Sequence, residues 1–397
     1  MAKKVLIFFP HPLKKNFGGA YTYLYHLKTA FQSKEVELGF LSDLVSFGGS
    51  ANNGNRQSVL KKLLKLFVSE KLIYSNRISR YLKAISVIPF RKELEKINYH
   101  AYDAIHFHET VDIWRYHYLL EGYKGKIVLT SHSPKPYHLE LLEDVFGLSR
   151  SQISRHTYKK LEMIDVVAFE KADVIVAPCE EALEAYQSCW PVFQQVMEKK
   201  TKTFIPTGID MPKPSASAND TRINLRIPEN GFVVCFNGRH AKVKGYDLMI
   251  ESATHLLDKF PDLHFLITGK EDDPSMMKHE RWIESGWTEK PEDFINTSDL
   301  VIVPNRQTYF DLNVLLALAS GKPIVLSETG GNKYFRQFNS PAISFFDMDV
   351  DNALTEAILK AFTNKEKLAG EENRKIFQQH FTLEKFAEAY KQFYLSL

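Results

Sequence analysis

The apolar and polar positions of this chain alternate between two rhythms. Short runs of consecutive apolar residues recur at Val5–Phe9, Val36–Leu41, Ala104–Phe107, Ile127–Thr130, Val174–Ala177 and Thr203–Ile205. They are rich in β-branched and aromatic residues, as parallel strands covered on both faces require. Longer amphipathic stretches lie between them, among them Ala20–Phe31 and Glu180–Cys189. Strand and helix in turn make βαβ units, so an α/β fold with a doubly wound parallel sheet is expected. The alternation stops between Ile205 and Ser217, where Pro206, Gly208, Pro212 and Pro214 crowd with small polar residues. That composition marks an interdomain linker. The alternation restarts with Phe232–Phe236, Leu248–Phe260, His264–Thr268, Leu300–Val303, Leu312–Ser320, Pro323–Leu326 and Ala342–Phe345. Two domains are therefore expected, over residues 1–206 and 207–380. In the tail, Phe381, Phe386, Tyr390 and Tyr394 stand at near-helical spacing. Residues 381–397 should form a helix that packs back on the first domain.

Composition narrows the class. The chain has 397 residues, more than one hydrophobic core needs, with an ordinary globular balance of 44% hydrophobic and 25% charged residues. A net charge of +3 carries no nucleic-acid signature, so charge must be read from local clusters. The run Val5–Phe9 is too short for a signal-peptide core or a membrane span, and Pro10 ends it. A cytoplasmic protein is expected, peripheral at most on the inner face of a membrane. Cys179, Cys189 and Cys235 form no CxxC pair and no disulfide framework, which fits a reducing compartment.

One stretch departs from the even balance. Between Arg56 and Lys96 there are eleven basic residues against Glu70, Glu93 and Glu95. Within it, Ser58–Phe67 interleaves Lys61, Lys62 and Lys65 with Leu60, Leu63, Leu64 and Phe67, in the manner of a membrane-surface helix. The alternative is a helix with a solvated charged face and a core face.

The densest chemistry follows the first strand of the second domain, in Phe236-Asn237-Gly238-Arg239-His240-Ala241-Lys242-Val243-Lys244-Gly245-Tyr246-Asp247. Open α/β sheets bind ligands beyond the carboxyl ends of their strands. Gly238 lets backbone approach a ligand, Arg239 offers a planar fork for phosphate, and Lys244 a point charge. Two cations at one strand end suit a diphosphate.

These residues resemble the pattern of glycosyltransferase family 4, a group with the GT-B fold of two Rossmann-like domains facing across a cleft. Gly238-Arg239 and Lys244-Gly245-Tyr246-Asp247 match its signature. Gly18-Gly19-Ala20, Thr130-Ser131-His132-Ser133, Ile205-Pro206-Thr207-Gly208 and Ala317-Leu318-Ala319-Ser320-Gly321-Lys322-Pro323 follow in the family's order. The resemblance implies that Arg239 and Lys244 hold a donor diphosphate, that Gly19 lets the first domain approach it, and that His132 faces the sugar. Gly238, Thr308, Phe310 and Leu312 complete the donor side. The family carries two glutamates where this chain has Thr308 and Leu316. Asp311 lies nearby, either as a sugar contact or as the N-cap of the helix starting at Leu312.

The segment His106-Phe107-His108-Glu109 lacks a third ligand of matching kind, so no metal is expected there. Glu271-Asp272-Asp273 precedes Pro274 and reads as a solvated loop. The resemblance implies a retaining enzyme that moves a sugar from a nucleotide diphosphate donor to a hydroxyl of a glycan or lipid-linked acceptor, with no cofactor; the basic stretch Arg56–Lys96 adds an anionic membrane surface as a partner. The alternatives are a non-catalytic partner subunit and a sugar-nucleotide epimerase of the same fold.

Overall fold

The first strand shows why this sequence folds as it does. In the computed structural model, Val5 and Ile7 join one hydrophobic cluster and Leu6 and Phe8 another. All four are buried, because successive side chains leave a strand on opposite faces and helices cover both. Each such side chain contributes about 1.5–3 kcal/mol of burial. The structure describes residues 2–13, 19–45, 69–87, 91–270, 277–367 and 369–397.

The first sheet contains β1 (Lys3–Phe8), β2 (Val36–Phe40), β3 (Ala104–Phe107), β4 (Lys126–Leu129), β5 (Val174–Ala177) and β6 (Thr201–Phe204), in the order β2-β1-β3-β4-β5-β6. The second contains β7 (Phe232–Asn237), β8 (Leu263–Thr268), β9 (Trp282–Gly286), β10 (Leu300–Val303), β11 (Ile324–Ser327) and β12 (Ile343–Phe346), in the order β12-β11-β10-β7-β8-β9. Every pairing in both sheets is parallel. This is the expected doubly wound α/β architecture, twice over. The sequence pattern missed β9, an edge strand in which only Trp282 is fully buried. The expected helix at Glu180–Cys189 divides into a 3-10 turn, Glu181–Leu183, and a helix, Glu184–Cys189.

The chain crosses between the sheets twice, and the crossings lie side by side. Ile209 pairs with Thr382 in a parallel bridge, and the Ile209 N–H donates to the Phe381 carbonyl at 3.0 Å. Gly208 permits this approach: a Cβ there would stand 2.4 Å from the Thr382 carbonyl oxygen. After the second crossing, the helix Leu383–Ser396 buries Phe386, Tyr390, Phe393 and Tyr394 against Tyr23, Leu24 and the β1 residues Val5 and Ile7.

Of the basic stretch, the helix Glu70–Ile85 is described. Ile78 and Leu82 face a cluster with Leu161 and Ile164, while Lys71, Arg77, Arg80 and Lys83 are exposed. Ser58–Phe67 and Glu271–Asp273 lie outside the described residues. Among the described residues no helix is long and apolar enough to cross a membrane.

Candidate active site at the cleft between the sheets

Parallel strands send the loops at their carboxyl ends to one side. Here such loops from both sheets meet around a cavity of about 80 Å³. Gly19, Tyr23, Thr130 and His132 line it from the first sheet, and Tyr309, Phe310 and Leu312 from the second. The cavity thus brings together Gly19, His132, Phe310 and Leu312, which the sequence had marked separately. A Cβ on Gly19 would have no atom of the described residues within 4 Å.

His132 follows β4 in a left-handed conformation, φ 56°. Its Nε2 lies 2.9 Å from Nδ1 of His108, and its ring meets Tyr23 edge-on at 4.6 Å. His108 in turn packs on His106, with ring centroids 4.1 Å apart. His106 is held by the Tyr394 hydroxyl at 2.8 Å and the Thr130 hydroxyl at 2.9 Å. The C-terminal helix therefore forms the floor beneath this side of the cleft. Burial depresses all three imidazoles, and His132 falls to about 3. The rings are neutral at physiological pH, so His132 can offer a hydrogen bond but no charge. Among the described residues no group of His, Cys, Asp and Glu is arranged to hold a metal ion.

Next to this floor, Glu109 is pushed up to about 7 by burial, against the pull of Arg115. Asp112 is shifted upward in the same way, and neither of its buried carboxylate oxygens has a hydrogen-bond partner.

On the second domain, the loop after β7 is shaped by glycine. Gly245 has φ 71°, and a Cβ there would stand 2.1 Å from the Pro304 carbonyl oxygen. Only glycine lets the turn Lys242–Lys244 tuck against the end of β10. Arg306 fastens the same turn. Its guanidinium grips Asp247 at 2.5 and 2.9 Å and donates to the Lys242 carbonyl at 2.6 Å. The Lys-Gly-x-Asp spacing is thus a geometric device that sets the position of Lys244. Gly238 meets Gly269, whose added Cβ would stand 1.8 Å from the Gly238 carbonyl oxygen, while Arg239 is exposed beside them.

Asp311 is the N-cap of the helix Leu312–Ala319, accepting from the Asn313 N–H at 3.0 Å. Its other oxygen accepts from Lys244 Nζ at 2.7 Å and Asn305 Nδ2 at 2.6 Å. Burial alone would raise this carboxyl; the Lys244 ammonium and the hydrogen bonds hold it below its ordinary value instead. Of the two sequence readings of Asp311, capping is the one the geometry displays. Thr308 is buried, with its carbonyl accepting from the Gly331 N–H at 3.1 Å. Leu316 is half-buried and packs on the apolar core of the second domain.

Several contributors escaped the sequence reading because their partners are remote. Glu184, from the first domain, accepts from the Gly330 N–H and from Lys333 Nζ, both at 2.9 Å, and so clasps the two domains. Asn305 and Asn313 carry no motif. Gly269 and Gly286 could have been found as isolated glycines at strand ends, where positive φ is common.

Residues 17–211 match the model described as Glycosyltransferase Family 4, and residues 231–364 the model described as Glycosyl transferases group 1. Together the two matches take in most of the chain. The chain belongs to the GT-B-fold glycosyltransferases.

This glycosyltransferase is 27% identical over 184 residues to the O-antigen biosynthesis glycosyltransferase WclY of Escherichia coli, covering 44% of this chain and 50% of that protein. It is 29% identical over 144 residues to the lipopolysaccharide core biosynthesis mannosyltransferase LpsB of Rhizobium meliloti, covering 32% and 41%. The chain thus spans about half the length, or less, of these relatives. Among solved structures, sucrose-phosphate synthase of Thermosynechococcus elongatus superposes over 100% of this chain and 99% of its own, with TM-score 0.67 and 18% identity. Anabaena HepE, solved with UDP and glucose, superposes over 100% of both chains with TM-score 0.61 and 15% identity. These likenesses establish the fold of the glycosyltransferase.

Proposed function

We propose that this glycosyltransferase moves a sugar from a nucleoside diphosphate donor to a hydroxyl of a glycan or lipid-linked glycan during surface-polysaccharide synthesis. One observation carries the reading. Gly19 and the Leu312 helix start line the same cavity, with the Arg239–Lys244 loop on the second domain beside Asp311. A ligand with an anionic centre and polar ends fits that arrangement. Arg239, Lys244 and backbone N–H groups stabilise the leaving diphosphate, Gly19 lets the first domain close on it, and neutral His132 hydrogen-bonds the sugar. The anomeric configuration is retained, with the diphosphate taking the acceptor proton on the same face, so no protein carboxylate is required as base. Thr308 and Leu316 leave the sugar and ribose without acidic partners.

Relatives named for O-antigen and lipopolysaccharide core synthesis support the class of acceptor. One further relative is named as a galactosyltransferase acting on a diphosphoundecaprenol-linked sugar. The basic stretch from Arg56 to Lys96 serves to hold the protein on an anionic membrane surface, and exposed Lys71, Arg77, Arg80 and Lys83 support this. A thermal-shift screen against UDP, GDP, dTDP and their sugars tests the donor class. A ligand at a hundred times its Kd stabilises by about 2.7 kcal/mol. No shift with any of them would remove the diphosphate donor from the account.

A further inference from the structure

We propose that Asp311 is a built-in counter-anion that competes with the donor diphosphate for Lys244 and thereby sets how tightly the second domain holds that diphosphate. The inference rests on the reading above that Lys244 serves the diphosphate.

The donors gathered on Asp311 are of the kind that hold a phosphate. Lys244 Nζ stands at 2.7 Å, Asn305 Nδ2 at 2.6 Å, and the Asn313 N–H and Nδ2 both at 3.0 Å. An ammonium, a helix N-terminal N–H and two side-chain amides form an anion cradle. The Asp311 carboxylate fills it from within the chain. Its side chain is 8% exposed, whereas that of Lys244 is 29% exposed, so part of the lysine stays open to solvent and to a second anion. An ammonium has three donors, and one carboxylate contact leaves others for a second anion. That second anion then meets a lysine already neutralised and a carboxylate of its own sign. The result is weaker diphosphate binding, with a shallow dependence on salt, and ready release of the nucleoside diphosphate product.

Capping alone does not require this. Asn or Ser caps a helix as well as Asp does. The negative charge is what couples the cap to Lys244, and it can be removed without removing the cap.

The test measures binding of pyrophosphate and of UDP by titration calorimetry, at low and at moderate salt. Five proteins are compared: wild type, Asp311→Asn, Asp311→Ser, Lys244→Ala and the double variant Lys244→Ala/Asp311→Asn. Pyrophosphate is included because it reports the anion site whatever base the donor carries. Asp311→Asn should bind both probes roughly tenfold tighter, with a steeper loss on adding salt, since a freed charge-assisted contact is worth about that factor. The gain should vanish in the double variant. A cap with no electrostatic role would move melting temperature but neither the salt slope nor this dependence on Lys244. Asp311→Ser repeats the test should the asparagine variant be unstable.

If both Asp311 variants bind no tighter than wild type while Lys244→Ala binds more weakly, the competition is overturned and the diphosphate reading stands. If the Asp311 variants and Lys244→Ala all leave binding unchanged, the inference fails together with the role given to Lys244.

Discussion

Two glycines at the cleft should answer the same substitution in opposite ways. Gly245 is required by the protein's own backbone, and Gly19 is not. Gly245→Ala must hold a left-handed φ of 71° with a Cβ 2.1 Å from the Pro304 carbonyl oxygen. The conformation costs about 1–2 kcal/mol. Relieving the overlap adds about 1–3 kcal/mol, the usual cost of overpacking. The sum, about 2–5 kcal/mol, lowers the melting temperature by roughly 4–20 °C in a domain of this size. Gly19→Ala meets no described atom within 4 Å and begins the helix Gly19–Ala30. Alanine is up to about 1 kcal/mol better than glycine in a helix, so stability should hold or rise. Gly19 lines the cavity that His132 also lines, however, so the added methyl should weaken nucleoside diphosphate binding by about tenfold or more, or about 1.4 kcal/mol. Scanning calorimetry and nucleotide titration on the two variants give the comparison. A Gly19→Ala protein that binds nucleotide like wild type would refute the claim that Gly19 is there to let the donor approach. A Gly245→Ala protein of unchanged melting temperature would refute the steric account of the Lys-Gly-x-Asp turn.

Further outcomes follow from the same geometry. Leu316→Glu, at a half-buried position, should change nucleotide affinity more than melting temperature; a protein that simply unfolds would show that Leu316 serves the core. His132, lowered from 6.5 to about 3 by burial, should stay neutral through the physiological range. Folding that lowers a histidine pKa favours the neutral ring, so this stabilisation is full above about 6.5 and is lost as pH falls toward 3. Glu109 and Asp112 shift the opposite way, so the readout is the His132 ring signal by NMR, and a midpoint above 6 would contradict the burial account. In vesicle flotation, recovery should rise with anionic lipid, fall with salt, and drop when Lys61, Lys62 and Lys65 become glutamate; equal recovery on neutral vesicles would leave the stretch as ordinary surface.

What could be read from the sequence depended on the range of the physics involved. Strands such as Val5–Phe9 and Leu300–Val303 were legible because burial on both faces leaves only apolar residues. The strand Trp282–Gly286 was not, since Glu284 and Ser285 are only half-buried at a sheet edge. The cleft residues Gly19, His132, Phe310 and Leu312 could be marked through the family resemblance. Their meeting in one cavity is a property of two domains together. The pairing of Lys244 with Asp311 joins residues 67 positions apart, and no periodicity or motif announces it. The same holds for Arg306 with Asp247 and for Glu184 with Lys333, 149 positions apart. The Asp311 cap was readable because capping is local: the side chain and the N–H it satisfies are two residues apart.

The most direct test is transfer itself. Purified protein is given a nucleotide sugar chosen by the thermal-shift screen, with an undecaprenyl-diphosphate-linked sugar or a core oligosaccharide as acceptor, and release of nucleoside diphosphate is followed. The account predicts release that depends on the acceptor, continues with chelator present, and falls by about 10–100-fold in Arg239→Ala, as loss of a charge-assisted contact worth about 1.5–3 kcal/mol requires. Transfer by Arg239→Ala at the wild-type rate would contradict the diphosphate site, and binding of the donor with no release under any acceptor would contradict sugar transfer.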